Sequence, residues 1–155
     1  MPYEHTQHGW PVRVAFGLAA LVLLVMPAVQ PPGHPAAPAT LVAGAALAVI
    51  LGLMWSRLTV RIDGDRLRWS FGIGWPRFSL PLAEVQSVEV TRTTFWQGWG
   101  IRVVRGGWLY NVAGLDAVRI TRTSGRLVLL GTDEPRRLKA AIEQAQGRQG
   151  PGTRR

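Results

Sequence analysis

The stretches WPVRVAFGLAALVLLVMPAV (Trp10–Val29) and AAPATLVAGAALAVILGLMW (Ala36–Trp55) decide the architecture of this chain, and a proline-rich bend separates them. At ~1.5 Å per residue, a helix over either stretch reaches ~30 Å, the thickness of a bilayer's hydrocarbon core. The first carries one charge, Arg13, near enough to its end for the guanidinium to snorkel; the second carries none, and Thr40 is its one clearly polar side chain. The bend Gln30-Pro-Pro-Gly-His-Pro-Ala-Ala-Pro38 cannot continue a helix, because its prolines lack N–H donors and crowd the preceding turn. The reading is a two-span transmembrane hairpin occupying residues 10–57. A cleaved signal peptide fits poorly: the apolar run Val14–Val29 is long, no small-x-small site closes it, and another apolar stretch follows at once.

Charge orients the hairpin. The bend contains no Lys or Arg, whereas Arg13 lies near the start of the first span and Arg57, Arg61, Arg66 and Arg68 follow the second. This pattern puts both termini in the cytoplasm, with Trp10 and Trp55 at one interface. Of the 18 basic residues, 17 follow the second span, with eight of the nine acids, so the net charge of +9 belongs to that region. Such a surface suits an anionic inner leaflet, at ~1 kcal/mol per suitably placed cation. Nucleic acid is the disfavoured partner, since no nucleic-acid-binding motif is present. With no cysteine, disulfides, thiolate metal sites and cysteine nucleophiles are excluded.

Thr40, Gly44, Ala48, Gly52 and Ser56 recur every fourth residue in the second span, a small-residue stripe along which another helix can approach closely. Packing against the first span is the preferred reading, and a homodimer contact is the alternative.

From Leu58 the period changes to two. Leu58, Val60 and Ile62 share one face, and Thr59, Arg61 and Asp63 the other; Asp63-Gly64-Asp65 turns the chain, and Leu67, Trp69 and Phe71 then oppose Arg66, Arg68 and Ser70. Further strands are expected over 77–80, 85–92, 101–105, 108–112, 117–122 and 126–130. Thr132-Asp133-Glu134-Pro135 announces a helix through a capping side chain, early acids and a first-turn proline. Leu138, Ala141, Ile142 and Ala145 form its apolar stripe, and Gly147 is expected to end it. Residues 1–9 then read as a tail, 58–146 as the folded domain, and 147–155 as a disordered basic tail.

This arrangement resembles the bacterial pleckstrin-homology-like membrane proteins. The resemblance rests on Gly98-Trp-Gly-Ile-Arg102, Trp108-Leu-Tyr-Asn-Val-Ala-Gly114, and Val118-Arg-Ile-Thr-Arg-Thr-Ser-Gly125 running on to Gly131-Thr-Asp-Glu-Pro135. It covers roughly residues 58–146 and implies a mainly antiparallel β domain of about seven strands capped by one C-terminal helix. It also implies a noncatalytic module of a bacterial cytoplasmic membrane. Eukaryotic relatives grip phosphoinositides through basic residues ending the first strand and a basic-x-Arg pair on the second. Arg61, Arg66 and Arg68 stand in comparable places here, but the short acidic turn Asp63-Gly64-Asp65 makes a poor phosphate cradle.

Catalytic chemistry is hard to assemble from these residues. His5, His8 and His34 lie in the expected tail and bend, Asp63 and Asp65 flank a turn glycine, and the glycine pairs lack the continuation of a nucleotide-binding loop. No cofactor or metal is proposed. Arg92, Phe95, Trp96, Trp99, Arg102, Arg105, Trp108 and Tyr110 form an aromatic and basic set suited to a membrane interface. Of these, Trp99 and Trp108 are assigned with Trp69 and Phe71 to the core, while Phe95 and Trp96 are expected to be exposed. The candidate lipid or partner contacts are therefore Arg61, Arg66, Arg68, Arg92, Phe95, Trp96, Arg102 and Arg105. The expected function is a membrane-anchored interaction module whose partners are the bilayer and another membrane or cytoplasmic protein. Recognition of anionic lipid headgroups is the first alternative, and a lipid-acting enzyme the remote one.

Overall fold

A computed structural model describes residues 3–29, 38–94 and 100–148. Strand β1 (Tyr3–His8) precedes helices α1 (Trp10–Val29) and α2 (Pro38–Met54). Strands β2 (Arg57–Asp63), β3 (Arg66–Phe71) and β4 (Arg77–Pro81) follow, then a single 3-10 turn at Leu82–Glu84. After it come β5 (Val85–Arg92), β6 (Gly100–Val104), β7 (Gly107–Asn111), β8 (Asp116–Arg122), β9 (Leu127–Gly131) and helix α3 (Pro135–Arg148).

Residues 3–8, expected in a tail, form the edge strand of a four-stranded antiparallel sheet in the order β1-β2-β3-β4. Tyr3 stands opposite Ile62 and His8 opposite Arg57, so the two helices are inserted between paired strands. The inward face of β1 carries Tyr3, His5 and Gln7, so only Tyr3 gives it the apolar alternation of an ordinary strand. Gln7 is buried and donates through Nε2 to the Ala113 carbonyl at 2.8 Å, and His5 Nε2 lies 2.5 Å from Asp133 Oδ1. At His5 and Gln7, specific partners on other elements take the place of the apolar burial that marks an ordinary inward face.

The second sheet has five strands in the order β5-β8-β9-β7-β6. It is mixed, because β9 pairs antiparallel with β8 and parallel with β7. Gly107 permits this insertion: a Cβ there would overlap the Leu127 carbonyl, so no larger residue fits where β9 passes. The other β2–β9 boundaries fall within one or two residues of the expected ones.

Leu58 and Phe71 from the first sheet, Val118, Ile120 and Leu130 from the second, and Leu138 and Ile142 from α3 share one core. Trp69, Phe78 and Tyr110 bridge the sheets with ring centroids 4.7–5.8 Å apart. Trp69 and Phe71 are buried as expected. Trp108 is not: it is 48% exposed near the start of β7, opposite Val103 and on the same face of the strand as Tyr110. Trp99 lies outside the described residues. Pro135 starts α3 as expected, but the Thr132 hydroxyl accepts from the Glu134 N–H at 3.1 Å, turning the approach to the helix rather than capping it. α3 also runs through Gly147 to Arg148, whose Nε reaches the Gln144 carbonyl at 3.4 Å.

α1 and α2 pack antiparallel. A Cβ at Gly52 would lie 2.9 Å from Phe16 Cβ, and one at Gly44 3.3 Å from Leu23 Cδ1. Ala20, Ala45 and Ala48 are buried between the helices, so three members of the small-residue stripe meet α1. Ser56 instead donates to the Leu53 carbonyl at 2.7 Å. The outer faces remain apolar and exposed, including Leu18, Leu21, Val22, Val49 and Ile50. α1 is long and apolar enough to cross a membrane. α2 is described over the 17 residues Pro38–Met54 and is the shorter apolar helix among the described residues; the expected start at Ala36 lies outside them.

Candidate functional site

The alternation in β2 and β3 sends Leu58, Val60, Ile62, Leu67, Trp69 and Phe71 inward. The outer face therefore carries Arg57, Arg61, Arg66 and Arg68. Register places Arg61 directly opposite Arg68 and Arg66 opposite Asp63. Like charges across a strand pair repel, and acids beside them offset this. Glu4 on β1 accepts from Arg61 Nη2 at 2.6 Å, and Asp63 Oδ2 lies 3.4 Å from Arg68 Nη1. Arg66 Nη1 donates to Ser79 Oγ at 3.3 Å. These pairs are exposed, so each contributes little stability and leaves its guanidinium available.

Beside them a cavity of about 580 Å3 opens on the outer face, lined by Arg61, Arg68, Ser70, Arg77 and Ser79 and closed at one end by the β3–β4 turn. Arg77, which the sequence reading passed over, donates through Nε to the Gly74 carbonyl at 2.5 Å. The cavity thus presents three cations and the hydroxyls of Thr59, Ser70 and Ser79, the donor set that binds a phosphate or carboxylate.

The second basic group is not assembled. Arg92 ends β5 and Arg102 lies on β6, the two opposite edge strands of the five-stranded sheet, and Arg105 sits in the β6–β7 turn. Arg92 Nε is 3.1 Å from Asp116 Oδ1. Phe95 and Trp96 lie outside the described residues.

A cluster of titratable groups occurs where β1 meets the start of α3. His5 contacts Asp133, and its Nδ1 lies 3.5 Å from Glu134 Oε2; Glu134 also accepts from Arg137 Nη1 at 3.1 Å. The Tyr3 hydroxyl is buried there without a hydrogen-bond partner. Burial, reinforced by the Glu134 and Asp133 carboxylates against the opposing pull of Arg137, pushes its pKa up to about 12. Burial also raises that of Tyr110. His5 and His8 face opposite sides of β1, so they do not converge on one ligand. Among the described residues no group of three His, Cys, Asp or Glu side chains is arranged to hold a metal.

The β3–β4 turn exposes two large apolar residues. Ile73, between Gly72 and Gly74, is 83% exposed, and Trp75 is 65% exposed. An isoleucine between two glycines was the available signal, since a turn offers it no core. No family model matches the chain, and no curated protein matches it.

Proposed function

We propose that this protein is a membrane-anchored, noncatalytic interaction module. α1 and α2 cross the cytoplasmic membrane as a pair and hold the β domain on the inner face as a scaffold or accessory subunit of a membrane protein complex. The observation that carries this reading is the pairing of β1 with β2 across the inserted helices. Paired strands lie on one side of a membrane, so a chain that crosses through α1 must return through α2. At 17 residues α2 is at the lower end of the spanning range, and a short span is accommodated by local thinning. The apolar outer faces of both helices would otherwise stand in water. Removal of α1 as a signal sequence would cost the domain β1, which precedes it. The pleckstrin-homology-like resemblance belongs to this reading, as does the cytoplasmic placement, which rests on the arginines that follow α2.

The absence of native cysteine makes the test direct. Single-cysteine variants Glu4→Cys, His34→Cys and Arg126→Cys of the full chain are treated with a membrane-impermeant thiol reagent in intact cells and inverted vesicles. Glu4→Cys and Arg126→Cys should react only in inverted vesicles, and His34→Cys only in cells. Reaction of all three from one side overturns the double crossing.

A second reading, recognition of anionic lipid, is favoured by the cavity between Arg61, Arg68 and Arg77. A photo-crosslinker at Ser79 separates the two: discrete protein adducts support a scaffold, and lipid adducts alone support headgroup recognition.

A further inference from the structure

The chain turns back on itself at the base of the helices. Gly72 follows β3, donates its N–H to the Arg57 carbonyl at 2.9 Å, and packs so closely on the end of α2 that a Cβ would overlap the Leu53 and Met54 carbonyl oxygens. The β3–β4 turn is thereby fixed at the level where the apolar helix gives way to polar chain. Gly9 N–H donates to the Ser56 carbonyl at 2.8 Å, which places Trp10, 68% exposed, at the same level. Ile73, Trp75 and Trp10 thus stand around the helix base, with the exposed Arg57 and Arg77 among them. The bond from Arg77 to Gly74 ties that guanidinium to the turn.

We propose that residues 72–76 form an interfacial wedge: Ile73 and Trp75 enter the headgroup region of the leaflet from which α1 and α2 emerge, and Arg57 and Arg77 meet lipid phosphates beside them. Continuity with the apolar helices selects the bilayer as occupant, since any membrane holding α2 to its end meets this turn. Charge complementarity with phosphate and the preference of indole for the interface agree with it. Val103, also exposed and apolar, is ~10 Å farther out along β6 from Gly100, which itself abuts Trp55. It stands clear of the interface. The wedge would fix the tilt of the domain on the membrane, which a two-helix anchor alone leaves free.

This inference rests on the membrane reading, and one experiment separates their failures. Ile73→Cys, Val103→Cys and Leu18→Cys variants of the full chain are labelled with an environment-sensitive fluorophore and reconstituted in vesicles of zwitterionic and anionic phospholipid carrying shallow or deep spin-labelled lipid. The Ile73 probe should shift to shorter wavelength and be quenched more by the shallow label. The Leu18 probe should be quenched more by the deep label, and the Val103 probe should remain water-like. An unshifted Ile73 probe with a deep-quenched Leu18 probe overturns the wedge alone. A water-like Leu18 probe overturns the membrane reading and the wedge with it. A blue shift at Ile73 without lipid quenching, fading as protein is diluted among vesicles, places a second copy on the turn and also overturns the wedge.

Discussion

Tyr3 is half-buried, its hydroxyl enclosed and unpaired beside Glu134 and Asp133, and the consequence is a pH dependence of known sign. Its folded pKa of about 12 lies above the ordinary 10.0, so the folded state keeps a proton that the unfolded state releases in between. The stability associated with the neutral phenol is complete below pH 10 and is lost as pH rises toward about 12. Thermal unfolding of the detergent-solubilised protein should show this loss, and Tyr3→Phe should reduce it to the part that the buried Tyr110 contributes. At neutral pH the same variant should be neutral or stabilising, because a buried hydroxyl without a partner gives way to an apolar ring of similar shape. An alkaline limb identical in wild type and variant would assign the dependence to other groups. Gly107→Ala tests a different residue-scale constraint, since the methyl would enter the Leu127 backbone. A loss of about 3 kcal/mol is expected, the upper end of overpacking costs, because backbone cannot yield as a side chain does.

Among the elements, those that bury apolar residues at a regular period were legible, and those held by polar contacts were not. Strands β2 and β3 announce themselves because every second side chain enters the core, and α3 does so through Leu138, Ile142 and Ala145. β1 places Gln7 and His5 inward beside Tyr3, so two of its three inward positions are satisfied by partners at Ala113 and Asp133, more than 100 residues away. Local pattern carries no trace of such partners. The parallel β7–β9 pair was hidden for a related reason, because alternation identifies strands but not which neighbour accepts them. The cavity was half legible: Arg61 and Arg68 follow from the alternation, whereas Arg77 joins them only through the register of β3 with β4. His5→Ala should loosen β1 selectively, at a cost of about 1 kcal/mol for the lost hydrogen bond. Hydrogen exchange would then accelerate in β1 and along β2 but not in β9. Unchanged protection of β1 would mean that its backbone ladder and Gln7 suffice.

At the scale of the whole molecule, the N-terminal 29 residues contribute one strand to the sheet and one helix to the helical pair, both held by noncovalent contacts with the rest. β1 contributes six register pairs with β2, the Gln7 and His5 contacts and the Glu4–Arg61 pair, while α1 meets Gly44 and Gly52 along its length. The chain connection through residues 30–37 raises the effective concentration of the two parts, an advantage added to these contacts that falls by about 0.6 kcal/mol for each doubling of the connection's length. Two coexpressed fragments, residues 1–33 and 34–155, should therefore associate and copurify in mild detergent. The N-terminal fragment alone offers no sheet for β1, so it should be degraded or aggregate when expressed singly. Gly52→Leu, which drives a branched side chain into Phe16, should weaken copurification of the split protein more than it destabilises the intact chain, where the covalent link keeps the partners at high effective concentration. Fragments that fail to copurify without any substitution would show that the connection, rather than the β1–β2 and α1–α2 contacts, holds the two parts together.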